Sequence, residues 1–278
     1  MKSMGLKYLK ITTKIGEIML KISFTPLIVF LCLLIFIVGS IIGEISLNDL
    51  INAISSEEVR FSVALSVKCS IIATAIALLV GVPSGYALAR YRFRGKEIID
   101  SLINLPILLP PLVLGFGLLL FLGNTCIGQF INNTIDLIFT QKGIILAQFV
   151  IATPFIIRTT RAVFESIDVK YEYVAQSLGL SRSESFLKIT LPMAKSGILA
   201  GAILGWARAI GEFGATLMIA GATKMKTETL PIAIFLNVSI GNIDLALAIA
   251  VIHIAIAILV ISLMKFVINL NGGRYGRC

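Results

Sequence analysis

The sequence predicts an all-α, polytopic membrane protein with six transmembrane helices and a polar hairpin between spans four and five. Three observations predict it. The chain is 57% hydrophobic and 14% charged with a mean hydropathy of +0.97, too apolar for an ordinary water-soluble domain. Its apolar runs are long enough to cross a bilayer. Its basic residues flank those runs instead of forming a patch, so the net charge of +9 reads as membrane orientation and not as a nucleic-acid surface.

Taken in order, residues 1–21 carry Lys2, Lys7, Lys10, Lys14 and Lys21 among apolar residues, a basic amphipathic lead-in suited to an anionic cytoplasmic surface. The uncharged run from Ile22 to Gly43 follows without a small-residue cleavage site and is expected to span and stay, as span one. Ser46 to Arg60 reads as a polar connection. Span two covers Phe61 to Ala89, and Arg90 to Lys96, with four positive charges in seven residues, reads as a cytoplasmic turn. Span three, Ser101 to Leu122, contains Pro106, Pro110 and Pro111, which a regular helix does not accommodate. A break is expected there, facing the bundle interior because freed backbone groups at membrane depth need protein or water against them. It is either a plain kink or a moving, pathway-lining element.

Gly123 to Lys142 reads as an outer loop, and Gly143 to Arg158 as a short fourth span ending where Arg158 and Arg161 snorkel to the interface. The polar hairpin occupies 168–192. Asp168 can cap a first short helix whose Tyr171, Val174, Ala175 and Leu178 share one face, and Gly179 supplies the left-handed residue that ends it. Ser181 with Glu184 forms a capping box for a second helix, which Pro192 is expected to end.

Span five, Ser196 to Ala220, carries small residues at Gly201, Gly205, Gly211 and Gly214 for close helix contacts. It also holds Arg208 and Glu212 at i, i+4 near the membrane centre, either a self-neutralising ion pair or a polar spot bordering a pathway. Thr223 to Asn242 is expected to be an outer connection and Ile243 to Ile268 span six. The lone histidine, His253, reads as a polar residue satisfied within the bundle or as a pathway group. Cys32, Cys69, Cys126 and Cys278 lack paired or metal-ligand spacing and read as small apolar fillers.

With both termini inside, five Lys or Arg precede span one, four lie in 90–96, six lie between Arg158 and Lys195, and three close the chain. That places eighteen of the twenty-four on the cytoplasmic side of a cell membrane and excludes the inverted topology. The organisation is then a lead-in at 1–21, a transmembrane domain at 22–268 and a cytoplasmic tail at 269–278.

The hairpin residues carry a resemblance. Glu172, Ala175 and Gly179, followed after nine residues by Ile189-Thr-Leu191-Pro192, resemble the signature of the permease subunits of ABC importers, with Val174 in place of the first of two usual alanines. The resemblance implies that the hairpin is a cytoplasmic coupling helix seated in a separate ATPase subunit, with Glu172, Ala175, Gly179, Ser181, Ile189, Leu191 and Pro192 as coupling residues. Without it, the hairpin is an interfacial amphipathic link between two spans. The chain has no G-x-x-x-x-G-K-[ST] phosphate loop, so it binds no cofactor of its own and ATP with Mg would act in the partner.

A narrower resemblance covers 61–267. The stretches 207–221, 105–116 and Phe93-Arg-Gly-Lys96 resemble the molybdate and tungstate branch of these permeases, with sulfate and thiosulfate permeases as relatives. This implies a homodimer, two ATP-binding cassette subunits inside, and an extracytoplasmic oxyanion-binding protein outside that chooses the cargo. Pro106, Pro110, Pro111, Arg208 and Glu212 are the candidates for the translocation path. An ion-coupled carrier or channel is the competing class, disfavoured because the halves show no internal repeat. A membrane enzyme lacks candidate catalytic residues.

Overall fold

The computed structural model describes residues 24–275, so the basic lead-in at 1–21 and the last three residues lie outside it. Every regular element among the described residues is helical. Five helices are long and apolar enough to cross a membrane: α1 (Phe24–Glu44), α3 (Glu57–Arg90), α7 (Gln141–Ser166), the continuous stretch Arg182–Ile210, and α13 (Ile243–Tyr275), whose apolar part is Ile243–Leu263. A bent pair, α4 (Lys96–Leu108) and α5 (Pro111–Asn124), brings the total to six if counted as one span. The six-span expectation therefore holds in that form.

The central helix is α7. Gly81 and Gly85 of α3 lie against its Ile156 and Thr160, while Gly201 and Gly205 of α10 (Leu191–Ile210) lie against its Thr159 and Ile156. A Cβ on Gly205 would stand 2.7 Å from Ile156 Cγ1, so the side-chain-free stripe lets backbones approach as apolar surroundings alone could not drive them to. Trp206 Nε1–H donates to Ser70 Oγ at 2.8 Å and ties α10 to α3. Cys69 packs fully buried near Ile144 and Ile151, as the apolar-filler reading expects.

Several connections contain structure that their polarity concealed. Residues 46–60 include α2 (Leu47–Ser55), capped by Ser46 and buried through Ala53. The outer loop holds α6 (Cys126–Ile135), and 223–242 holds α12 (Leu230–Ser239), a helix whose Leu230, Ile232 and Ala233 are buried. Too short to span, α12 docks on α3 through Leu230 N–H to Ser66 Oγ at 2.7 Å. Span four is also longer than expected. Arg161 does not end α7 but sits within it, bridging Asp100 of α4 at 2.6 Å and Glu165 at 2.8 Å. Neutralised by two carboxylates, it lets the helix run on to Ser166.

Both intramembrane breaks are resolved. In span three, the chain bends by 110° between α4 and α5. Pro110 and Pro111 make that break, whereas Pro106 sits inside α4, contrary to the expectation for all three prolines. Span five, read from sequence as one helix, is also broken: α10 ends at Ile210 and α11 (Gly214–Ala220) restarts beyond Gly211–Phe213. Here α5 and α11 interlock, with Gly115 beneath Ala215, and its ideal Cβ would lie 2.6 Å from Ala215 Cα and 2.7 Å from its carbonyl oxygen. Gly115→Ala should therefore lower the melting temperature of the purified protein by the equivalent of about 1–3 kcal/mol. Gly117→Ala, in open space on the same helix, should leave it unchanged.

Candidate functional site

Two loci hold the residues singled out from the sequence. The first is the hairpin. Asp168 carboxylate accepts the Lys170 N–H at 2.9 Å and so starts α8 (Lys170–Ser177); that hydrogen bond holds its carboxyl below the usual carboxylate range. Gly179 adopts φ +94°, Leu180 N–H bonds Ala175 O at 3.1 Å and Gly179 N–H bonds Gln176 O at 3.0 Å. This is the paired closure of a helix that ends in a left-handed residue, as the sequence indicated. Ser181 and Glu184 cap α9 (Arg182–Ser185) reciprocally.

Pro192 does not end the second helix. A single wide turn at Phe186–Thr190 carries it into α10, with Leu191 N–H reaching back to Phe186 O. Proline lacks an amide hydrogen and crowds the carbonyl four residues back, and the extra residue in the turn relieves both faults. Ile189 lies half-buried in that turn. Leu191 and Pro192 line an apolar groove with Leu78 and Ile198 and are not part of the hairpin tip.

The orientation of α8 differs from its apolar pattern. Ala175 and Glu172 turn inward, whereas Tyr171, Val174 and Leu178 stay exposed, Leu178 at 81%. The buried Glu172 carboxylate decides this. It accepts from Tyr86 Oη at 2.9 Å, from Arg90 Nε at 2.8 Å and from Thr190 Oγ1 at 3.0 Å. Arg90 Nη2 also donates to Ile167 O at 2.9 Å, so one ion pair joins the ends of α3 and α7 to α8 and to the start of α10. Tyr86, Phe164 and Phe186 stack around it, with Tyr86 and Phe186 centroids 4.4 Å apart. Sequence reasoning missed Tyr86 and Arg90. Their i, i+4 spacing at the end of an apolar run was visible, but nothing local paired them with Glu172.

The second locus lies where the two breaks meet. Arg208 Nη1 and Glu212 Oε2 are 2.8 Å apart, with Glu212 almost wholly buried and the Arg208 side chain 31% exposed. Glu212 Oε1 also accepts the Ala215 N–H at 2.9 Å, so the same carboxylate covers a free amide of the restarted α11. Gly214 abuts Leu112 and Pro111, which places the Pro110–Pro111 break beside this pair; Pro106 lies inside α4. His253 is half-buried in α13, and its Nδ1 has no hydrogen-bond partner among the described residues. No group of three metal-ligating side chains exists among the described residues.

Removing Arg208 strands a buried carboxylate, while removing both charges does not. Arg208→Gln should cost on the order of 1–3 kcal/mol, a buried-pair penalty reduced by the arginine's exposure, and adding Glu212→Gln should recover most of it. Additive losses in a double-mutant melting cycle would contradict the coupling. Glu172→Ala should be worse, at about 3 kcal/mol or more, because it leaves Arg90 buried without its partner. Earlier proteolytic cutting between Asp168 and Ser181 would report it.

The chain matches the family described as binding-protein-dependent transport system inner membrane component over residues 77–270. It is 38% identical over 209 residues to the probable molybdenum ABC transporter permease protein of Haloferax volcanii, covering 75% of this chain and 76% of that one. It is 40% identical over 177 residues to the molybdenum transport system permease protein ModB of Haemophilus influenzae, covering 63% and 76%. Against the molybdate/tungstate transport system permease protein WtpB of Thermococcus kodakarensis it is 45% identical over 145 residues, covering 52% and 54%. Its fold resembles a chain of a bacterial alginate ABC transporter crystallised with its alginate-bound periplasmic protein, at TM-score 0.66 and 18% identity, covering 87% and 91%. Bundle, broken spans and match together place this chain in the family of inner membrane components of binding-protein-dependent transport systems.

Proposed function

We propose that the chain is the transmembrane subunit of an ATP-driven importer of a tetrahedral oxyanion, molybdate or tungstate, working by alternating access. The observation that carries the reading is the hairpin. It presents Tyr171, Val174 and Leu178 outward as an apolar knob while Glu172 and Ala175 fasten it to the ends of three long helices. An exposed apolar knob on a stiff mount suits insertion into a groove of a separate ATPase, where ATP and Mg act. The count of basic residues supports a hairpin and termini on the cytoplasmic side of the cell membrane.

The cargo rests on kinship with relatives named for molybdenum, molybdate and tungstate. The Arg208–Glu212 pair is self-neutralised, so it offers an anion a polar passage without tight capture, and affinity belongs to an extracytoplasmic binding protein. Arg208 lies on a face of the bundle, and a face becomes a conduit only against a second wall. A second copy of this chain supplies that wall, with two ATPase subunits beneath.

Reconstituted with its ATPase and binding protein, the chain should take up molybdate or tungstate only with ATP. Uptake without ATP would indicate a carrier, and calorimetric binding of sulfate alone by the binding protein would redirect the cargo. Leu178→Glu or Gly179→Val should weaken ATPase association about tenfold or more, the loss of one anchoring contact. The bundle's melting temperature should not change for Leu178→Glu, because Leu178 touches little of it, whereas Gly179→Val strains the φ +94° turn and should cost about 1–3 kcal/mol locally in the hairpin.

A further inference from the structure

Away from both loci, the segment 221–229 straps the start of α3 and α12 together. It is polar, yet Thr227, Glu228 and Thr229 are fully buried. Glu228 Oε2 accepts the Met225 N–H at 3.0 Å, which closes the strap's own turn, while Glu228 Oε1 has no hydrogen-bond donor. Facing it from α3 is Glu58, whose carboxyl lies within hydrogen-bonding reach of the Glu228 carboxyl. Glu58 also accepts from Asn237 Nδ2 of α12 at 3.0 Å and pairs with the Lys224 ammonium of the strap. The charged groups converging here are therefore two carboxyls and one ammonium.

We propose that Glu58 and Glu228 share a single proton and form a proton-binding latch that holds the 221–229 strap on α3 and α12. Two ionised carboxylates against one ammonium would leave a net negative charge buried, and the unpartnered Glu228 Oε1 would face another acceptor. One proton taken from water removes both faults. It supplies the missing donor between the carboxyls and leaves one carboxylate for Lys224. Burial, with the nearby Glu58 charge next, holds the Glu228 carboxyl above its usual range, and the hydrogen bond to Glu58 holds the Lys224 ammonium above its own.

A carboxyl that binds its proton more tightly folded than unfolded stabilises the fold below the ordinary carboxylate range, and that contribution is lost as pH rises through the raised value. The latch is closed in acid and opens toward alkali. Neither Glu58 nor Glu228 belongs to the hairpin or the Arg208 pair, so the latch stands or falls independently of the transport reading.

The test is an infrared pH titration of the purified full chain in lipid nanodiscs, paired with hydrogen exchange of the 221–229 amides corrected for intrinsic rates. The expected result is a protonated-carboxyl band at neutral pH that disappears on raising pH, with strap protection falling about tenfold over the same range. Glu228→Gln and Glu58→Gln should each abolish the band and leave the strap protected at every pH. Lys224→Gln should move the loss of the band to higher pH, because the ammonium favours the ionised pair. Absence of the band in the unaltered protein, or its persistence with unchanged titration in either Gln variant, overturns the proposal.

Discussion

A carboxylate taken out of water must be matched by donors, by a cation or by a proton, and in an apolar bundle few of these are at hand. Glu172 and Glu212 meet the requirement with arginines and short hydrogen bonds. Because each acceptor set draws donors from several elements, each carboxylate fixes a junction and not merely a contact. Glu172 holds three long helices and the hairpin in one register, and without it the exposed knob of α8 has no fixed bearing on the membrane domain. The rigidity of the hairpin is thus located in one buried group and the aromatic ring cluster around it.

The second organising feature is backbone proximity. Helices in lipid gain little from burying apolar faces against each other, so close packing must come from van der Waals fit. Glycines on α3 and α10 bring both against α7, and Gly115 does the same for α5 against α11. The α5–α11 contact carries both broken spans to one place. Broken backbone at membrane depth needs its amides satisfied, and Glu212 serves Ala215 N–H while it neutralises Arg208. A polar, structurally discontinuous spot results in a bundle otherwise built from continuous helices.

Much of this was legible in the sequence because it is local. Length and apolarity of runs, the left-handed Gly179, the Ser181–Glu184 box and the i, i+4 spacing of Arg208 and Glu212 depend on neighbours within one turn or two. The helices hidden in connections were not legible, since α2 and α12 are short and their apolar residues are diluted by polar ones. The extent of α7 past Arg161 was hidden too, because the charges that permit it come partly from Asp100, sixty-one positions away.

By itself the sequence determined the membrane class, the number of spans and the family signature, since bilayer thickness, helix period and capping chemistry act on contiguous residues. Only the tertiary structure decided which way each group points. It turned Glu172 inward and Leu178 outward, against the apolar periodicity of α8, because a buried carboxylate with three waiting donors outweighs the exposure of three apolar side chains. It also set Glu228 against Glu58, a meeting of residues one hundred and seventy positions apart that no local pattern encodes.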